Sequence, residues 1–220
     1  QMPLAIRIDR PESLGLSHHR NGPWSPDPGP HRMMRSVAHV WDKPFSARLR
    51  YVFDTPGHDA VIVSLGGVTI PADYVWACWP VYGDGKGHAL FLDGSDGGGE
   101  HHYIASVDGP KVDWKGWKVL WFDLSPRENQ NSWGGDGNHR LDPPLRVGGL
   151  VLDDTPDSYV GESDLFFADV LFMTDAMKAQ YEQTPSEVAP KSLTLPAPGE
   201  RVLNCPALED PPVLDGKLDD

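Results

Sequence analysis

This sequence predicts an all-β fold, a two-sheet antiparallel β-sandwich of the jelly-roll kind, and three observations carry the reading. The 23 glycines and 22 prolines among 220 residues place turn signals about every eight to twelve residues. Between them lie short runs rich in β-branched and aromatic residues, with the alternation of half-buried strands. No uninterrupted amphipathic stretch is long enough to make a core helix.

In chain order the strand segments are Leu4 to Asp9, Met33 to Trp41, Phe45 to Phe53, Ala60 to Leu65, Tyr74 to Tyr82, His88 to Asp93, Glu100 to Val107, Trp117 to Leu124, Val147 to Asp153 and Leu165 to Met173. Each is closed by Gly, Pro, Asp or Asn, the residues that favour turns. Thr174 to Gln183 reads as a short helix without an apolar stripe. Ser17 to Pro30 carries two histidines, Trp24 and four prolines, so it is expected as a loop; proline donates nothing to a ladder and keeps this segment out of any central strand. Asp93 to Glu100, DGSDGGGE, reads as a hairpin turn or a cation-lined bend. Pro126 to Pro144 is long for a connection, and long loops in compact domains are often functional.

These segments divide the chain into an N-terminal strand and Pro-rich loop packed on the sandwich (1–32), the sandwich itself (33–173), a helix and linker (174–205) and the truncated start of a following module (206–220). A length of 220 residues suits one β-domain with tails.

Charge limits the partners. Lys and Arg total 19 against 32 Asp and Glu, for a net charge of -13, which repels nucleic acid and anionic membrane surfaces. Neutral glycans and cations remain compatible with it. No apolar run approaches the roughly 20 residues that span a bilayer. Secretion, to the exterior or the periplasm, is the expected localisation. Cys78 and Cys205 are the only cysteines; two make no disulfide framework, and a bridge between them is the minority expectation.

The site candidates are aromatic. Trp114, Trp117 and Trp121 fall within eight residues. Period-two alternation puts Leu120, Phe122 and Leu124 on one face of that strand and Trp117, Val119, Trp121 and Asp123 on the other. With the Leu/Phe/Leu face in the core, Trp121 offers a stacking surface for a sugar ring and Asp123 an acceptor for its hydroxyls. Trp117 is expected to pack under loops. Tyr74, Trp76, Cys78 and Tyr82 share a face if their strand has no bulge, although Pro80 argues for a bulge or an edge position. On Glu100 to Val107, His101 and Tyr103 lie opposite His102 and Ile104. Trp76 and Trp121, with Phe91, Tyr103 and Trp133, are the expected stacking groups, and Asp123 and one histidine the hydrogen-bonding partners.

Metal and catalytic motifs are sparse. Neither HExxH nor a CxxC pair occurs, and the His18-His19 and His101-His102 pairs are adjacent rather than spaced for one face. A zinc site from sequence-distant histidines stays open. Calcium has more support, from acids in turns such as Asp84, Asp93, Asp96, Asp153 and Asp154. No GxSxG elbow or Gly-rich phosphate loop is present.

Five motifs in order, Phe45 to Phe53, Val81 to His88, Asp113 to Trp117, Ser132 to Gly135 and Phe166 to Val170, resemble the β-jelly-roll carbohydrate-binding modules of families 11 and 30, in the wider galactose-binding-like group. The resemblance covers roughly Met33 to Met173. It implies a concave sheet that binds polysaccharide or oligosaccharide chains through aromatic side chains, and a structural calcium for which Asp169 would be a ligand. The sequence departs from the family pattern at Leu14-Gly15-Leu16, where an acid is usual. The tail Pro206 to Asp220 is similar to the opening of family 9 modules. The function expected is therefore a non-catalytic binding module of a secreted, multimodular, carbohydrate-active protein, with other domains of the same polypeptide as partners. A structural spacer against a catalytic domain and a jelly-roll polysaccharide lyase are the alternatives.

Overall fold

Apolar side chains at alternate positions force two sheets to close over one core. In the computed structural model, which describes residues 3–20 and 23–183, the strands are β1 (Leu4–Ile6), β2 (Leu16–Arg20), β3 (Arg32–Ser36), β4 (Ser46–Phe53), β5 (Asp59–Ile70), β6 (Trp76–Asp84), β7 (Ala89–Ser95), β8 (Glu100–Ile104), β9 (Lys115–Asp123), β10 (Arg127–Glu128), β11 (Ser132–Gly134), β12 (Arg140–Leu141), β13 (Leu145–Asp153), β14 (Gly161–Phe167) and β15 (Val170–Met173). The helix α1 (Asp175–Gln183) follows.

In the first sheet β6 pairs with β9 on one side; on the other it pairs with β15 over Trp76 to Cys78 and with β14 at Val81 and Tyr82. β15 continues to β1, and β14 to β4 and β3. The second sheet runs β11-β8-β7-β13-β5-β2. Every ladder is antiparallel, so a β-sandwich is what the chain forms. Leu49, Tyr51, Phe53, Trp79, Phe122, Phe167 and Phe172 from the first sheet meet Val61, Leu90, Leu92, Ile104 and Leu152 from the second.

Several local expectations are corrected. Pro80 sits in a central strand, in unbroken register with Val119. Its missing N–H faces the gap between β14 and β15, where its carbonyl accepts from Ala168 N at 3.1 Å, so no ladder bond is forfeited. The expected strand Leu165 to Met173 is broken there into β14 and β15. Ser17 to Pro30 is not all loop: β2 includes His18 and His19 and forms an edge of the second sheet. The strand expected to reach Trp41 ends at Ser36. Pro126 to Pro144 holds three short strands. The expectations for residues 184–205 and for the tail 206–220 lie outside the described residues, as does Cys205 and with it the Cys78 bridge.

The core also buries polar groups. The Tyr51 hydroxyl donates to Asp84 and lies 2.9 Å from His88 Nε2, whose Nδ1 is 2.7 Å from Asp157. His31 has no exposed surface; its Nδ1 accepts from Val52 N at 3.4 Å and its Nε2 has no partner. Burial, reinforced by His18, pushes the His31 imidazole down to about 4 from 6.5. As pH falls through this interval the unfolded chain takes up a proton that the folded chain refuses, so stability is lost. His31→Phe, which cannot titrate, is expected to lose less of its Tm than the parent on acidification from about 6.5 toward about 4. Equal losses in thermal melts would contradict this.

Candidate functional site

The first sheet turns out the aromatic face expected of it. Leu120, Phe122 and Leu124 are buried in the core, and the register sets Tyr82 beside Trp117, Cys78 beside Trp121 and Trp76 beside Asp123. The chain then covers much of this face itself. His39 stacks on Tyr82 at 3.8 Å between ring centroids, and Trp41 lies 5.3 Å from Trp117. From α1, Asp175 accepts the Trp76 indole N–H at 2.7 Å, Lys178 Nζ sits 3.5 Å above the Trp76 ring, and Tyr181 meets Trp121 edge-on at 5.5 Å. Burial leaves Cys78 a thiol, its pKa pushed up to about 12 against the opposing hydrogen bond of Tyr181. One flank of Trp121 stays open: with Asp123, Arg127, Glu128 and Gln130 it lines a hollow of about 490 Å³ beside residues 105–110.

The second sheet carries the more open surface. Alternation turns His102 and Ile104 inward and His101 and Tyr103 outward along β8, as the sequence implies. β11 places Trp133 directly opposite His101. Phe91, Tyr103 and Trp133 then form a chain of rings with centroids 5.1 and 4.9 Å apart, and His101 lies parallel to Trp133 at 5.5 Å. Trp133 is 45% exposed, whereas Phe91 is 3% exposed and serves as floor rather than as stacking surface. Beside them lies a hollow of about 420 Å³ whose lining includes Phe91, Tyr103, Val107, Lys111, Asn131 and Asp153.

Trp24 belongs here too, a residue the sequence offered only as part of a Pro-rich loop. The bridge between His18 and Ser25 folds that segment back on β2, and the 40%-exposed Trp24 indole comes to lie beside the Tyr103 hydroxyl. Burial, with Asp93 and Asp153 nearby, pushes that hydroxyl up to about 12, so it remains a donor at neutral pH. Burial also raises the Asp93 carboxyl. The six expected ligand residues thus divide: Phe91, Tyr103 and Trp133 gather on the second sheet, and Trp76, Trp121 and Asp123 on the first.

Asp169 does not fit a calcium ion. Its Oδ1 accepts from Ile8 N at 2.8 Å and from Lys43 Nζ at 2.7 Å, and a dication would have to lie against that ammonium.

No family model and no curated protein matches the chain. Among solved structures it is similar to the family 11 carbohydrate-binding module of the cellulosomal cellulase Lic26A-Cel5E of Clostridium thermocellum, at 9% identity over 79% of this chain and 95% of that one, with a TM-score of 0.51. The chain shares that module's fold. A second structure of a family 11 module from Clostridium thermocellum, in complex with a β-1,3-1,4-mixed-linked tetrasaccharide, aligns at 9% identity over 76% of this chain and 92% of that one, with a TM-score of 0.49. TmCBM61 in complex with β-1,4-galactotriose aligns at 13% identity over 76% and 91%, with a TM-score of 0.43.

Because α1 holds Trp76 through an indole hydrogen bond and a cation–π contact, Trp76→Ala is expected to cost roughly 1–3 kcal/mol of stability, read as a lowered midpoint in urea unfolding. An unchanged midpoint would mean that α1 does not pack on this sheet.

Proposed function

We propose that this chain is a non-catalytic carbohydrate-binding module that takes a neutral polysaccharide on the outer face of its second sheet. The observation that carries the reading is Trp133, exposed above Tyr103 beside a hollow edged by Asn131, Lys111 and Asp153. An indole face accepts the apolar CH surface of a pyranose, and a few polar groups at its margin fix the hydroxyls. The hollow at Trp121 and Asp123 shares Ser106, Val107 and Gly109 with the first, so residues 105–110 separate two adjoining sugar subsites. A stacked ring contributes about 0.5–1.5 kcal/mol beyond burial, and two or three such contacts give micromolar to millimolar affinity. The setting is a secreted, multimodular, carbohydrate-active protein whose enzyme this module keeps near its substrate.

A lyase has weaker support. The residue types of a lyase base occur together at Tyr51 and His88, but both are sealed in the core, and a net charge of -13 repels a polyuronate. The spacer reading is favoured by one observation, the covering of the first sheet by the chain itself.

Affinity electrophoresis against neutral polysaccharides, mixed-linked glucan and galactan among them, tests the proposal. The parent is expected to be retarded by at least one, and Trp133→Ala to bind it about tenfold more weakly, a loss of about 1.4 kcal/mol, with Tm unchanged. No retardation by any glycan would overturn it and favour the spacer; equal retardation of parent and variant would overturn the placing of the site at Trp133.

A further inference from the structure

The turn between β7 and β8 gathers a set of side chains that the glycan site does not use. Asp96, Glu100 and His102 are buried, and among the described residues they form the one group of three whose prospective ligand atoms all lie within 4.8 Å of one another. Each carboxylate is oriented by a backbone donor. Asp96 Oδ1 accepts from Glu100 N at 2.8 Å, and Glu100 Oε2 accepts from His139 N at 3.1 Å. The three remaining atoms, Asp96 Oδ2, Glu100 Oε1 and His102 Nε2, are buried without a hydrogen-bond partner. His102 Nε2 and Asp96 Oδ2 face each other at 3.4 Å, and the half-exposed His139 brings Nδ1 to 3.2 Å from Glu100 Oε1.

We propose that Asp96, Glu100 and His102 bind a divalent transition metal of the zinc class. Two carboxylates sealed beside an imidazole concentrate negative charge where water cannot screen it, and a dication at the point all three face balances that charge. An imidazole in the donor set favours zinc-class ions over calcium and magnesium, which prefer oxygen throughout. Three protein ligands leave a fourth tetrahedral position, toward the His139 rim. The imidazole needs its proton on Nδ1 for Nε2 to ligate. Asn129 lies at that position, its Nδ2 3.2 Å from His102 Nδ1 and 3.4 Å from the Tyr103 carbonyl; a half turn of the amide gives up the longer bond and presents the oxygen to the N–H, the orienting contact usual around metal-bound histidines. The backbone there is tightly fitted: a Cβ on Gly135 would come within 2.2 Å of Glu100 N.

The test uses the full chain, stripped with a chelator and dialysed. Elemental analysis after equilibration with zinc is expected to give about one equivalent per chain, with Tm raised by several degrees and the rise reversed by chelator. Asp96→Asn and Glu100→Gln keep the oxygen that accepts the backbone N–H, so they preserve the local hydrogen bonds even if His102→Gln fails to fold. Each is expected to weaken zinc binding about a hundredfold or more. Cobalt(II) bound to the parent should give a tetrahedral visible spectrum that both variants lose. A stoichiometry well below one, zinc binding unaltered in both variants, or a Tm rise with calcium and not with zinc would each overturn the proposal.

Discussion

Strand alternation over a single core is the constraint on which everything else depends. A side chain on β9 points either into the sandwich or out of it, and burying Leu120, Phe122 and Leu124 leaves Trp117 and Trp121 no position but the outer face. The same rule on β8 buries His102 and Ile104 and turns out His101 and Tyr103. Exposure of the outward rings is then decided by what the rest of the chain lays over them. Residues 37–45 and α1 lie on the first sheet; on the second, Trp24 comes up to Tyr103 and Trp133 stays open.

The part of this that was legible in the sequence is the part governed by period two. The faces of Trp117 to Leu124 and of Glu100 to Ile104 follow from alternation alone, and the inward Leu/Phe/Leu face is found as expected. Pro80 shows where local reasoning stops. A proline in a central strand is tolerated only because β14 and β15 part opposite it, and that parting is a property of strands nearly ninety residues away. The cover on Trp76 is equally non-local, since the polar α1 gives no sign in its own sequence of packing through Lys178 and Asp175. Trp24 carries a local signal of its own: a tryptophan in a loop of prolines has no core to join and must find a surface elsewhere.

Acidic residues divide in the same way. The glycine-rich segment Asp93 to Glu100 suggests a bend that holds a cation, and Asp96 lies in it, but only the β7–β8 pairing brings His102 and Glu100 to the same point. Asp169, singled out by family resemblance, instead holds Lys43 and the backbone of Ile8. A carboxylate's chemistry depends on which cation or N–H the fold delivers to it. That delivery is set by pairing between strands far apart in sequence.

The two faces of the sandwich make opposite claims on the indole rings, and the side-chain N–H signals of the tryptophans in a two-dimensional nitrogen–proton spectrum distinguish them directly. On titration with a glycan that retards the chain, the signals of Trp133 and Trp24 are expected to shift with the ligand, while those of Trp76, Trp117 and the core residue Trp79 hold still. Shifts of Trp76 and Trp117 with Trp133 unmoved would show that the open face had been placed on the wrong sheet.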